Sequence, residues 1–353
     1  MEYLTSIHDK LEKINEDSID YIDIFEHPEY IYGTINFASS RTDFSKFPIK
    51  THMEIKKFGN SAIKEMADFH NSASGTRLRF KTNSNWLTFK IQLRRKWGYK
   101  KLVNWNAMGF DIYEVSDDGK YNHVGVFGPN DGENIFVERI RAPKSGQVCV
   151  FLPNYNTIEE FFLGIDENSS IEPFDYPDEK RLPVVFYGNS VTQGAAASRS
   201  SNSFPNVVSK RLNRDIINLS ISSACRGNEN VADTIGKINC HSIVIDYTRN
   251  ASSLKEFKEM YEPFYKRIRS HHPDKRIVLM TSTSFNKKKL YFALDKHVCE
   301  VYEKAVERGE NTKLLYQTEL FDEEDYDCVS VDESHYIDWS MYRIADKICE
   351  LID

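Results

Sequence analysis

Apolar and polar residues alternate along much of the first half of the chain. Between about Ile31 and Asp166, runs such as residues 76–82 and 86–93 place apolar side chains at every second position, between turn-rich clusters. Further strands are predicted at residues 109–113, 134–138 and 147–153. Several short strands with one buried face each predict a β-sandwich, of jelly-roll type, for this half.

The second half has a different pattern, in which short apolar runs alternate with helical periodicity. The apolar runs occupy residues 184–187, 216–219, 242–245 and 277–280, and the helical patterns cover residues 204–212, 254–269 and 291–308. This alternation is typical of an α/β domain in which a parallel sheet carries helices on both faces. Ligands of such open sheets collect at the carboxyl ends of the strands.

The change of pattern predicts two domains joined by a linker. The β-sandwich domain covers residues 1–170 and opens with a short helix, because apolar residues between positions 4 and 14 recur at helical spacing. Residues 171–182 are polar and proline-bearing, which favours a linker or a packed strap between the domains. The α/β domain covers residues 183–353.

Composition narrows the class of protein. The 353 residues carry a formal net charge of -7, which argues against a nucleic-acid partner because binding to phosphates requires a concentrated basic surface. The six cysteines are scattered without a CxxC pair, and no signal peptide or long apolar segment is recognised. We therefore expect a cytoplasmic protein with free thiols and no membrane contact. The oligomeric state stays open, and a homo-oligomer is one of the states that the sequence allows.

Three residues in two distant segments have the chemistry of a nucleophilic site. Ser190 follows the apolar run 184–187 and a glycine, and Asp332 precedes His335 by three residues near the C-terminus. A serine, a histidine base and a carboxylate that orients the base are the components of acyl-transfer catalysis. An isolated Gly-x-Ser, however, is also a common way to cap a helix, so the serine alone does not decide between the two interpretations.

The segment Gly-Asn-Ser-Val-Thr-Gln-Gly at residues 188–194 resembles the first block of the SGNH (GDSL-like) hydrolases, with Asn189 in place of the usual aspartate. This resemblance implies a flavodoxin-like three-layer α/β/α domain. It also implies that Ser190 is the nucleophile, His335 the base and Asp332 the residue that orients His335. No metal or organic cofactor is implied.

The same resemblance implies an oxyanion hole formed by three donors. These are the backbone N–H of Ser190, the backbone N–H of Ser223, which stands at a family glycine position, and the side-chain amide of Asn250. Thr248 occupies a second family glycine position. A backbone N–H survives the replacement of glycine, so the donor at Ser223 is retained while its Cβ narrows the site.

A second resemblance covers the sandwich domain. Some SGNH hydrolases carry an N-terminal β-sandwich with a Gly-x-Asp-Leu-Tyr signature, and residues 109–113 read Gly-Phe-Asp-Ile-Tyr. The run at residues 150–156 is similar to the end of that domain. This two-domain group resembles carbohydrate esterases, so O-deacetylation of a sugar is the implied activity.

Several polar residues near these motifs have two interpretations. Asn189, Arg199 and Arg226 are candidate substrate-binding residues, although a surface ion pair explains either arginine equally well. Cys225 lies two residues after Ser223 and could be mistaken for a nucleophile, but a small buried packing residue is the simpler explanation.

Three hypotheses about function follow. The first is a serine esterase that removes an acetyl or other short acyl group from a carbohydrate or related hydroxylated metabolite. The second is an O-acyltransferase that uses the same site in glycan or natural-product assembly. The third is a non-catalytic carbohydrate-binding protein, which gives no chemical reason for Ser190, Asp332 and His335 to occur together.

Overall fold

A computed structural model describes residues 18–35, 44–57, 67–96, 102–283 and 289–353. The helix predicted between positions 4 and 14 lies outside the described residues. Within the described residues, every helix is too short or too polar to cross a lipid bilayer.

The first half of the chain forms two antiparallel sheets packed face to face. Its strands are β1 (Ile19–Asp23), β2 (Ile31–Tyr32), β3 (Arg77–Thr82), β4 (Trp86–Leu93), β5 (Phe110–Val115), β6 (Tyr121–Phe127), β7 (Ile135–Arg141), β8 (Gln147–Phe151), β9 (Ile158–Asp166) and β10 (Ile171–Pro173), with helices α1 (Ile49–Lys57) and α2 (Asn104–Ala107). One sheet has the order β1-β9-β4-β7, and the other has the order β10-β3-β8-β5-β6 with β2 beside β3. Phe89 of the first sheet stacks on Phe127 of the second with ring centroids 4.5 Å apart, so aromatic rings fill the space between the sheets. The predicted sandwich is confirmed.

The second half contains a parallel sheet of five strands. Its elements are β11 (Val184–Gly188), α3 (Ser190–Gln193), α4 (Phe204–Leu212), β12 (Ile216–Asn218), α5 (Glu229–Gly236), β13 (Ser242–Asp246), α6 (Leu254–His271), β14 (Arg276–Met280), α7 (Lys289–Glu307), β15 (Thr312–Leu315), α8 (Tyr326–Val329) and α9 (Asp338–Ile352). The strand order β12-β11-β13-β14-β15 is the order of flavodoxin-like folds, which confirms the predicted fold class.

The sheet buries both of its faces because successive side chains point in opposite directions. Val184 and Phe186 of β11 belong to a cluster that includes Met341 of α9. Val185 and Tyr187 belong to a second cluster, which continues into the sandwich. Strands buried on both faces are uniformly apolar, which is why these runs could be recognised in the sequence.

The predicted linker is partly a strand. Residues 171–173 form β10, which pairs antiparallel with β3. β10 is an edge strand, and such strands tolerate proline and polar residues. The sandwich sheet therefore extends past residue 170.

Two cationic side chains, the buried Arg77 and the half-buried Lys210, contact both halves of the chain. Arg77 of β3 is fully buried and forms an ion pair with Asp215, which precedes β12. Lys210 of α4 lies 4.8 Å from the ring centroid of Tyr113 and 5.4 Å from that of Tyr342. A buried charge is tolerated only where it is paired, so these contacts tie the sandwich to the α/β domain.

Candidate active site

Ser190 is the first residue of α3, and Asn189 alone separates it from the end of β11 at Gly188. The turn between them is tight: a Cβ on Gly188 would lie 2.2 Å from Thr192 Oγ1 and 2.5 Å from Asp246 O. Asn189 caps the helix, because its side-chain oxygen accepts a hydrogen bond from Val191 N at 2.7 Å. Glycine and a capping residue thus place the serine at the carboxyl edge of the sheet.

The hydroxyl of Ser190 meets the imidazole of His335. Ser190 Oγ lies 2.7 Å from His335 Nε2, and His335 Nδ1 lies 2.9 Å from Asp332 Oδ1. The carboxylate on Nδ1 favours the tautomer in which Nε2 is free to accept the hydroxyl proton. The structure therefore brings the three predicted residues into one hydrogen-bonded chain.

The segment that carries the acid and the histidine is a small, braced loop. Ser330 and Tyr336 form an antiparallel bridge across it, and His335 N donates to Asp332 Oδ1 at 3.0 Å. Glu333 has a φ of 61°, which fits the tight turn between the two residues. Helix α9 starts directly after the loop and fixes its end.

Two of the three expected oxyanion donors are backbone groups without an internal partner in the described part of the chain. Ser190 N stands at the start of α3, where N–H groups have no intrahelical acceptor. Ser223 has a φ of 59°, the left-handed conformation that a glycine adopts without cost. The Ser223 N–H makes no internal hydrogen bond within the described residues.

The third expected donor, Asn250, connects two segments of the site. Asn250 Nδ2 donates to Cys225 O at 3.0 Å, which ties the end of β13 to the turn that contains Ser223. A side-chain amide has two N–H bonds, so one remains for a substrate oxygen.

Sequence reasoning missed the residues that connect these segments. Tyr155 of the sandwich donates to Ser190 O at 3.0 Å, and Gln193 Oε1 accepts from Ser222 N at 2.7 Å. Arg249 contacts the hydroxyl of Ser334, next to His335. Gln193 stands inside the 188–194 motif, which was a usable signal, whereas the role of Tyr155 depends on a domain contact that no local pattern predicts.

Asp246 forms a hydrogen bond to Thr192, which lies in the same helix as the nucleophile Ser190. Its carboxylate is fully buried and accepts from Thr192 Oγ1 at 2.7 Å and from Gln317 Nε2 at 3.0 Å. Burial raises the pKa of this carboxyl to about 6, against the opposing effect of the two hydrogen bonds.

The three candidate substrate-binding residues are all engaged elsewhere. Asn189 is fully buried, and its amide nitrogen donates to Asp246 O at 3.0 Å, so a substrate contact is corrected to a structural role. Arg199 contacts His123 and lies 3.6 Å from Asp111 Oδ1. Arg226 pairs with Glu256 at 2.6 Å. Both arginines therefore form ion pairs, and the carboxylate beside Arg199 is buried and not at the surface.

Two other kinds of site, a cysteine nucleophile and a cluster of metal ligands, find less support near Ser190. Burial raises the pKa of the Cys225 thiol to about 12, which disfavours the nucleophilic thiolate. In the part of the chain that the structure describes, no three His, Cys, Asp or Glu side chains cluster as metal ligands.

Comparison with known families agrees with this geometry. Residues 180–353 match the model of the GDSL-like lipase/acylhydrolase family. Residues 19–171 match the model of the N-terminus of SGNH-hydrolase-type esterases, named GxDLY. The chain belongs to the GDSL-like family. Its two halves correspond to the two parts of SGNH-type esterases.

Solved structures share this two-part architecture. A protein from Bacteroides ovatus, designated a GDSL-like lipase, is 21% identical with a TM-score of 0.75, over 94% of this chain and 96% of that one. The salicylyl-acyltransferase SsfX3 from a tetracycline biosynthetic pathway is 15% identical with a TM-score of 0.74, over 94% and 96%. A family two carbohydrate esterase from Clostridium thermocellum is 13% identical with a TM-score of 0.56, over 79% and 91%. At these identities the likeness concerns the fold of this GDSL-like protein. No curated protein matches its sequence.

Proposed function

We propose that this GDSL-like protein is a serine esterase that removes an acetyl or other short acyl group from a carbohydrate or related hydroxylated metabolite. The observation that carries the proposal is the hydrogen-bonded chain from Ser190 through His335 to Asp332. A structural capping serine needs no such chain, since Asn189 already caps α3.

The geometry suggests a two-step reaction. His335 Nε2 takes the proton of Ser190 as Oγ attacks the ester carbonyl, and the negative charge on the carbonyl oxygen is stabilised by the Ser190 and Ser223 N–H groups and Asn250. The bond from the carbonyl carbon to the sugar oxygen then breaks, His335 gives the proton to that oxygen, and an acyl-enzyme remains on Ser190. A water molecule then gives a proton to His335 and attacks the acyl carbon. The bond from that carbon to Ser190 Oγ breaks, His335 returns the proton to Oγ, and the carboxylic acid is released.

The carbohydrate part of the proposal rests on the sandwich domain and on the fold shared with a family two carbohydrate esterase. The second candidate is O-acyl transfer, in which a substrate hydroxyl replaces water in the second step. The salicylyl-acyltransferase with a TM-score of 0.74 is the observation that favours it.

The test uses p-nitrophenyl acetate and an acetylated xylo-oligosaccharide as substrates. We expect Ser190→Ala and His335→Ala to lose turnover to the background rate, since each removes a member of the triad. His271→Ala is the matched control, because His271 also pairs with an aspartate, Asp233, at 3.2 Å, but contacts no serine of the site. Turnover by Ser190→Ala equal to that of the wild type would refute the proposal.

An added alcohol acceptor separates the two candidate functions. If hydrolysis is the reaction, the acceptor leaves the yield of acetate unchanged. Formation of the acceptor's acetyl ester at the expense of acetate would favour the acyltransferase.

A further inference from the structure

The oxyanion donor at Ser223 depends on the orientation of a single peptide group. The peptide that joins Ser222 to Ser223 carries the N–H of Ser223, and the φ of 59° at Ser223 is unfavourable for a residue with a Cβ. Ser223 itself is exposed, so packing of its own side chain does not hold the peptide. Ala224 N donates to Ile221 O at 3.1 Å and closes the turn around this peptide, and the buried Ser222 is the turn residue that other segments contact.

Gln193 holds the nitrogen side of Ser222. Its Oε1 accepts from Ser222 N at 2.7 Å and from Ser222 Oγ at 2.9 Å. Its Nε2 donates to Ser72 Oγ and to Asn154 O, both at 3.0 Å and both in the sandwich half. The amide is fully buried and both of its ends are engaged, so its orientation is fixed from the sandwich side.

Tyr155 forms a hydrogen bond to the nucleophile turn and contacts the side chain of Ser222. Its hydroxyl donates to Ser190 O at 3.0 Å and lies 2.9 Å from Ser222 Oγ. The side chain is 1% exposed, and burial raises the pKa of the hydroxyl, so it stays protonated as a donor. One hydroxyl of the sandwich therefore contacts both the nucleophile turn and the oxyanion turn.

We propose that Tyr155 and Gln193 are positioning residues through which the sandwich domain sets the distance between Ser190 and the Ser223 N–H. The proposal rests on the proposed function and assigns the sandwich a part in catalysis besides any binding of glycans. An oxyanion donor is effective only at hydrogen-bonding distance from the developing negative charge, so a shifted donor slows the chemical step more than it weakens binding of the ester.

The first test is Tyr155→Phe with p-nitrophenyl acetate. We expect kcat to fall about tenfold with KM unchanged, and affinity for a trifluoromethyl ketone, a mimic of the tetrahedral intermediate, to fall by the same factor. Tyr176→Phe is the matched control, since Tyr176 is also buried and its hydroxyl contacts Arg77 Nε and Ser209 Oγ at the domain interface instead of the site. We expect it to keep wild-type kinetics.

A second variant keeps the proposal testable if Tyr155→Phe folds poorly. Ser222→Ala removes the hydroxyl that contacts both Tyr155 and Gln193 and keeps the backbone N–H. We expect a similar fall in kcat. We expect the double variant to lose less than the product of the two single losses, because the two substitutions share the contact between Tyr155 and Ser222.

The outcomes separate the two proposals. If Ser190→Ala is inactive while Tyr155→Phe and Ser222→Ala keep kcat within twofold of the wild type, the positioning role is refuted and the esterase proposal stands. An equal fall in kcat for Tyr155→Phe and Tyr176→Phe would also refute it, since loosening of the domain interface would then explain both. If Ser190→Ala hydrolyses the ester at the wild-type rate, the proposed function itself fails.

Discussion

The buried carboxyl of Asp246 predicts a pH-dependent contribution to the stability of the fold, which can be measured. It ends β13, and its two carboxylate oxygens accept from Thr192 and Gln317, so it links the nucleophile helix to the opposite side of the sheet. Asn is nearly the same size as Asp, can accept from Gln317 with its oxygen and carries no charge. We therefore expect Asp246→Asn to fold and to remove the only part of the interaction that titrates.

The size of the effect follows from the pKa. Burial raises the pKa of Asp246 from 3.8 to about 6, a difference of 2.2 (6 minus 3.8). At 1.36 kcal/mol per unit this corresponds to about 3 kcal/mol. The folded protein holds this proton more tightly than the unfolded chain does, so the stabilisation is fully present below pH 3.8 and is lost as the pH rises through about 6. About 2 kcal/mol of it is lost between pH 4.5 and pH 7.5.

The assay is thermal unfolding of wild type and Asp246→Asn at pH 4.5 and pH 7.5. We expect the Tm of Asp246→Asn minus the Tm of the wild type to be a few degrees larger at pH 7.5 than at pH 4.5. The reason is that the variant has no carboxyl to ionise at this position. Asp118→Asn is the control, since Asp118 is a surface carboxylate whose pKa is lowered to about 2, below the range of the assay. A difference in Tm between wild type and Asp246→Asn that is the same at both pH values would refute the reasoning.

Three further substitutions test other parts of the site. Asp332→Asn should lower kcat for p-nitrophenyl acetate by about 10²- to 10⁴-fold with little change in Tm, because a neutral amide does not stabilise the imidazolium of His335 as the carboxylate does. A variant with wild-type kcat would contradict this. Ser223→Gly should raise the free energy of unfolding by about 1 kcal/mol in a urea titration and keep activity, since glycine adopts the φ of 59° without strain. A destabilised variant would show that Ser223 is not strained. Gly188→Ala should cost about 3 kcal/mol in the same titration, because its Cβ would lie 2.2 Å from Thr192 Oγ1, and unchanged stability would contradict the tight turn.

The sequence predicted elements whose burial repeats in a simple way. The alternation in β4 anticipated that Leu87, Phe89 and Ile91 are buried while Lys90 between them is partly exposed. Strand β9 was missed, although it lies between β1 and β4, because its burial follows no strict alternation. Period-two patterns identify strands with one polar face, and β9 lacks a continuous one.

At the site, the nucleophile, base and acid could be named because each stands in a short motif. The contacts of Asn189 and Arg199 could not be predicted in this way. Their partners, Asp246 and Asp111, are distant in sequence and come close only in the folded chain. Tyr155 is the clearest example, since nothing in its neighbours indicates that its hydroxyl contacts Ser190. The Tyr155 contact depends on how the two domains dock, and the Asn189 contact depends on which strands of the sheet are neighbours; local sequence specifies neither.

The most direct test of the account is to find where the acyl group goes. Wild-type protein is mixed with p-nitrophenyl acetate, quenched in acid within the first turnover and digested for peptide mass mapping. The account predicts an acetyl group on the peptide that contains Ser190, and no acetyl group there in Ser190→Ala. Stable acetylation of another residue, with Ser190 unmodified and turnover intact, would contradict it.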